Sequence, residues 1–132
     1  MNAPAILCVD DEPLILLALK QELKTHFHGR YVYETAVSAE EAFQVISELE
    51  KEGISLILVV TDWLMPGMKG DDFLELVKKA HPGVRTVMIT GHASPEALAR
   101  VARDRTSDRV LLKPWKKDVL ITAIEELMAG GN

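Results

Sequence analysis

Apolar runs and helix-spaced apolar positions alternate along this chain five times. Ala5–Val9 is a continuous apolar run, the pattern of a strand buried on both faces. Pro13–His26 follows at helical spacing, with proline in the first turn, where its missing N–H is no loss. Tyr31–Ala36 reads as a second strand. Ser38-Ala-Glu-Glu41 is a capping-box signal, and it opens a helix whose Ala39, Ala42, Phe43 and Ile46 fall at i, i+3, i+4, i+7. The aliphatic run from Ile54 to Thr61 predicts a third strand ending at Asp62, and Met65-Pro66-Gly67 is turn chemistry. A third helix over about Gly70–Ala80 repeats the helical spacing with Phe73, Leu76, Val77 and Ala80, and His81-Pro82-Gly83 stops it.

Val84–Thr90 predicts the fourth strand. A short, Arg-rich fourth helix starts at Ser94-Pro95-Glu96, and Arg109–Leu112 is the fifth strand. The last helix, about Trp115–Met128, buries Leu120, Ala123, Ile124 and Leu127, and Gly130-Gly131 ends it. Five βα units without linker, repeat or low-complexity stretch predict the α/β class, with a doubly wound five-stranded parallel sheet. One domain over 1–132 is expected, with its core at about 5–128. Ligands of such sheets bind beyond the carboxyl ends of the strands. Asp10, Asp11, Asp62, Thr90 and Lys113 all fall at those ends.

Composition narrows the function classes. The 132 residues are 48% hydrophobic, enough for one buried core, and the net charge of −5 argues against direct nucleic acid binding. The single cysteine, Cys8, lies inside a strand pattern and reads as a small buried hydrophobe. No apolar segment approaches the roughly 20 residues that span a bilayer, and the N-terminus lacks the basic region of a signal peptide, so no membrane partner and a cytoplasmic setting are expected. His26, His28 and His81 have no metal-ligand spacing and read as surface residues. His92, two residues after Thr90, is the histidine within reach of the strand ends. Arg100, Arg103, Arg105 and Arg109 form a basic run whose charge Asp104 and Asp108 partly offset.

The strand-end residues explain one another chemically. Acidic groups at the tips of adjacent buried strands repel unless a cation joins them. Asp11 and Asp62, with backbone carbonyls and waters, suit Mg²⁺, a hard ion that prefers oxygen. A carboxylate beside a bound dication can attack phosphorus and give an aspartyl phosphate. Lys113 can neutralise the transferring group, and Thr90 can donate a hydroxyl hydrogen bond to it. A cis Lys113-Pro114 bond would aim the lysine into the crevice, and the sequence is compatible with either isomer.

The chain resembles the receiver domain of response regulators in two-component signalling over about residues 5–128. The resemblance rests on Val9-Asp10-Asp11-Glu12, Thr61-Asp62-Trp-Leu-Met-Pro-Gly-Met-Lys-Gly70, Ile89-Thr90-Gly91 and Leu112-Lys113-Pro114-Trp115, in order and at βα spacings. It implies a flavodoxin-like strand order of 2-1-3-4-5 and a signalling module that is not an enzyme. Asp62 would be the phosphoacceptor, charged by a sensor histidine kinase or a histidine phosphotransfer protein. Asp10 and Asp11 would help Asp62 hold Mg²⁺, with a further metal contact from the Leu64 carbonyl. Thr90 would be the switch hydroxyl and Lys113 the phosphate contact. The switched face would be formed by the last two strands and the helices after them, and it would serve an output partner, a missing output domain or a phosphorylation-dependent dimer. No DNA-binding, cyclase or phosphodiesterase segment is visible in the chain, which reads as a stand-alone regulator or as part of something longer.

One position departs from the family pattern. Receivers usually carry Tyr or Phe three residues before the lysine, and here Val110 occupies that place. Two rival readings fit less well. A phosphatase of the haloacid-dehalogenase type needs an acid two residues after its nucleophile, where this chain has Leu64. A nucleotide- or flavin-binding module wants a glycine-rich loop after the first strand, where this chain has Glu12-Pro13-Leu14.

Overall fold

A computed structural model of the chain describes residues 3–91, Glu96, Ala99 and 107–130. Five parallel strands form one sheet: β1 (Ala5–Val9), β2 (Val32–Ala36), β3 (Leu56–Asp62), β4 (Arg85–Thr90) and β5 (Arg109–Leu112), in the order β2-β1-β3-β4-β5. The helices are α1 (Pro13–Phe27), α2 (Ala39–Lys51), α3 (Gly70–Ala80) and α4 (Lys117–Ala129), with a 3₁₀ turn at His28–Arg30. The helix expected from Ser94-Pro95-Glu96, together with His92, Arg100, Arg103, Asp104 and Arg105, lies largely outside the described residues. None of the described helices is long and apolar enough to cross a membrane.

Strand alternation splits the core into two layers. Ile6, Cys8, Leu58, Val60, Val87 and Ile89 face one side, where α1 contributes Leu16, Leu19, Leu23 and Phe27 and α4 contributes Leu120, Ile121 and Ile124. Leu7, Val9, Val59 and Met88 face the other, against Ala39, Ala42 and Ile46 of α2 and Phe73, Leu74 and Val77 of α3. The interior strands are covered on both sides, which is why their sequences are apolar throughout. Cys8 is buried as expected, and burial pushes its thiol up to about 12, so it is inert.

Two expected helix boundaries or faces are corrected. In α3 the buried stripe is Gly70, Phe73, Leu74 and Val77, while Leu76 and Ala80 are exposed. Phe73 and Val77 are buried as expected, and Gly70 and Leu74 complete the stripe in place of Leu76 and Ala80, with Gly70 packed closely against the end of β3. The last helix starts at Lys117 rather than Trp115, since Lys116 is extended (φ −95°, ψ 139°) and Trp115 is held elsewhere. The expected capping signal on α2 is present, with Glu41 N–H donating to Ser38 Oγ at 3.1 Å. Among the described residues Asp108 has a structural role. Its carboxylate takes Lys78 Nζ at 3.0 Å and Thr86 N at 2.8 Å, tying β5 to β4 and α3.

Candidate functional site

Register brings the strand tips to one level. Val9 lies opposite Thr61, so Asp10 and Asp62 follow side by side, and Asp62 lies opposite Ile89, which places Thr90 one step further along. One carboxylate oxygen from each of Asp10, Asp11 and Asp62 lies within 4.8 Å of the others, and no other group of three or more possible ligands occurs among the described residues. Asp10 and Asp62 are 1% and 7% exposed, while Asp11 faces solvent. Lys113 leaves the end of β5 and reaches between the two buried acids, with Nζ 3.0 Å from Asp10 Oδ2 and 3.4 Å from Asp62 Oδ2. Its backbone N–H donates to Thr90 O at 2.8 Å, and Thr90 itself is buried. The Lys113-Pro114 bond is cis. All the expected strand-end residues therefore meet, and Leu64 lies half-buried in the loop two residues past Asp62.

Electrostatics leaves the cluster unbalanced. Burial is the main cause that raises the Asp62 pKa above its ordinary value, and the Asp10 charge adds to it. Lys113 and the Trp63 N–H, which donates to Asp62 Oδ1 at 2.8 Å, oppose the rise without cancelling it. Burial alone would lower the Lys113 pKa, yet the hydrogen bond and charge of Asp10, joined by Asp62, turn the net shift upward. Three hard oxygen donors with no sulfur or imidazole among them suit a hard dication, which would also relieve the repulsion between the acids.

Sequence reading missed the residues that brace the acids. Glu12 N–H donates to Asp10 Oδ1 at 2.8 Å, an Asx-type turn that leads into α1. Trp63 Nε1 donates to the buried Asp71 in the first turn of α3, at 3.1 Å. Gly70 N–H donates to Trp63 O at 2.7 Å, and a Cβ at Gly70 would collide with the Asp62 carbonyl oxygen and come within 3.0 Å of Trp63 Cα. Glycine opening a helix is the one signal that pointed there, because its helix propensity is poor and something else must select it. His26 and His81 stay at the surface, paired with Glu125 at 3.2 Å and Glu50 at 3.0 Å.

Known proteins share both this sequence and this fold. The family model of the response regulator receiver domain matches residues 6–125. The sensor kinase CckA of Brucella abortus is 29% identical over 96% of this chain and 13% of its own length. This chain spans no more than about a third of the first curated relatives it matches (23% and 32% for the next two). A CheY-like receiver domain protein from Methanospirillum hungatei superposes with a TM-score of 0.83 at 32% identity, over 98% of this chain and 97% of that one. The response regulator TrrA of Thermotoga maritima, solved in complex with Mg²⁺ and BeF, superposes with a TM-score of 0.75 at 26% identity, over 94% and 98%. The chain belongs to the response regulator receiver domain family, the phosphoacceptor signalling modules of two-component systems.

Two predictions follow from the geometry. The raised Asp62 pKa means the folded chain holds that proton more tightly than the unfolded chain does. The resulting stabilisation is complete below the ordinary carboxylate range and lost as pH rises through the folded value, so the ionised group destabilises the metal-free fold at pH 7. Asp62→Asn should therefore raise the melting temperature in chelator at pH 7 (about 4 °C per kcal/mol at this size). The gain should disappear in acid below the carboxylate range, and an equal gain at both pH values would show that ionisation is not its source. Gly70→Ala should cost about 2–3 kcal/mol in urea unfolding, because backbone rather than a pliable side chain meets the added methyl. Wild-type stability of that variant would mean the close approach does not select glycine.

Proposed function

We propose that Asp62 is the phosphoacceptor of this receiver, with Asp10, Asp11, Asp62 and the Leu64 carbonyl holding Mg²⁺, Thr90 acting as the switch hydroxyl and Lys113 as the phosphate contact. The observation that carries the reading is one lysine ammonium shared between two buried carboxylates, beside a third carboxylate, at the carboxyl ends of three strands. Mg²⁺ at such a site supplies positive charge for the phosphoryl oxygens and lowers the repulsion between the acids. The chain's own residues do the rest. An Asp62 oxygen attacks the phosphorus of a phosphohistidine protonated on its other ring nitrogen, the P–N bonding pair returns to the ring, and the histidine leaves as a neutral imidazole. Lys113 exchanges its 3.4 Å contact with Asp62 for a phosphoryl oxygen while keeping Asp10. Thr90, one step beyond the level of Asp62, donates its hydroxyl to another phosphoryl oxygen and is drawn inward.

The reading makes the chain a signalling domain rather than an enzyme. Leu64 stands where a phosphohydrolase of the rival type carries its acid, so no second carboxylate follows Asp62 to protonate a leaving group. Residues 1–132 form one receiver unit. Its partners are a histidine kinase or phosphotransfer protein that charges Asp62, and a reader of the altered face, which an output domain, a separate protein or a second copy can supply. Val110 is half-buried against the α2–α3 layer of the core. Its stiff β-branched side chain has no large inward and outward states to exchange, so the signal does not travel through a rotamer change there.

Two measurements test this. With Mg²⁺ and a small acyl phosphate, intact mass should show one added phosphoryl group, lost in Asp62→Asn and strongly reduced in Lys113→Ala. Mg²⁺ alone should stabilise the wild type by about 1.4 kcal/mol at tenfold over its dissociation constant. Labelling of Asp62→Asn would reassign the acceptor. Amide exchange at Arg109–Leu112 should change little when beryllofluoride is added with Mg²⁺. Strong changes on β5 would mean coupling there does not need an aromatic residue.

A further inference from the structure

We propose that Glu22, on the middle of α1, is a positioning residue for Lys113 and acts through the indole of Trp115. The inference rests on the assignment of Lys113 as the phosphate contact. Lys113 follows a short edge strand of the sheet. Strand β5 is four residues long, lies at the sheet edge, and exposes Arg109 and Leu112. The Lys113 amide, bonded to Thr90 O, is the last hydrogen bond of that ladder, and Pro114 has no N–H to continue it. The next anchor is Trp115. Its ring packs against the layer formed by α1 and α4, and its Nε1 donates to Glu22 Oε2 at 2.7 Å, across 93 residues of sequence.

The two anchors bracket Lys113. One fixes its backbone from the β4 side, and the other fixes the chain two residues later from the α1 side. The Lys113 side chain between them is only 18% exposed, and its ammonium balances two acids at 3.0 and 3.4 Å. A lysine side chain has four rotatable bonds and a strongly hydrated head, so holding it in that position needs a fixed Cα. A charged acceptor gives the short, strong bond that the neutral indole donor can make. Releasing Trp115 from Glu22 lets the loop and the lysine drift from the carboxylates towards water.

Metal binding separates this role from a general one in holding α1. Asp10 and Asp11 lie immediately before α1, so any disturbance of the whole helix weakens the metal site as well. Loss of Lys113 positioning alone spares the metal and weakens the phosphate mimic. The experiment titrates the full chain by calorimetry, first with Mg²⁺ and then with beryllofluoride at saturating Mg²⁺. Glu22→Ala should keep the wild-type Mg²⁺ affinity and lose about tenfold in beryllofluoride affinity, the factor equivalent to one charge-assisted hydrogen bond. Trp115→Phe, which keeps the ring and removes the donor, should do the same. Glu22→Gln, which keeps an acceptor oxygen, should stay within about twofold of wild type. Unchanged beryllofluoride binding in Glu22→Ala overturns the proposal, as does a parallel loss of Mg²⁺ affinity or a failure of Gln to rescue. A wild-type chain that binds no beryllofluoride would instead overturn the phosphoacceptor reading itself.

Discussion

The Lys113 ammonium, held between Asp10 and Asp62, is the interaction on which the rest of the site depends. Two acids that are almost wholly buried cannot share a crevice as bare anions, and neither can leave, because each terminates an interior strand of the sheet. The lysine lies closer to one acid than to the other. Asp10, at 3.0 Å, takes the shorter contact, and Asp62, at 3.4 Å, is left with a raised pKa. The acid that is held less tightly is the one the proposed function makes the phosphoacceptor. A cluster neutralised to completion would be more stable and would have no reason to take up a cation or a phosphoryl group.

That imbalance depends on a sheet that does not bend. Both layers of the core are continuous aliphatic packing, and the β1–β3–β4 register sets which side chains emerge together at the carboxyl edge. A shift of one residue would send Asp62 to the opposite face from Asp10. The braces act at the next level of precision. The Glu12 amide orients Asp10, the Trp63 amide orients Asp62, and the contact of Gly70 with the Asp62 carbonyl fixes the turn after β3. Each uses backbone, which has fewer ways to move than a side chain.

Much of this was legible in the chain because parallel sheets write themselves as unbroken apolar runs. β1 and β3 are read from Ala5–Val9 and the run ending at Asp62, and the polar residues at their ends mark the site directly. What was not legible depends on contacts between elements. In α3 Phe73 and Val77 are buried as their spacing suggests, but the burial of Gly70 and Leu74 reflects the close approach of the helix start to β3, which no helical repeat encodes. Trp115 continues an amphipathic pattern and so reads as helix. Its partner is a glutamate on α1, and that long-range hydrogen bond holds it outside α4. The hydrogen bonds of Asp108 to Lys78 and Thr86 join residues 30 and 22 positions apart, which no local pattern announces.

The distribution of support around the lysine explains how the domain can be both rigid and switchable. The acids stand on interior strands, paired on both sides, and cannot follow a bound group. Lys113 stands on a four-residue edge strand and is held by an amide on one side and an indole on the other. Thr90, joined to Lys113 through that same amide, links the interior strand β4 to the edge strand β5. A charge added to Asp62 therefore pulls on residues that differ in freedom. In the proposed function the acids stay, while the Thr90 hydroxyl and the Lys113 side chain adjust. Val110, short and packed against the core, gives β5 no large side-chain swing, so under the proposed function the response centres on Thr90 and leaves the backbone of β5 nearly unchanged.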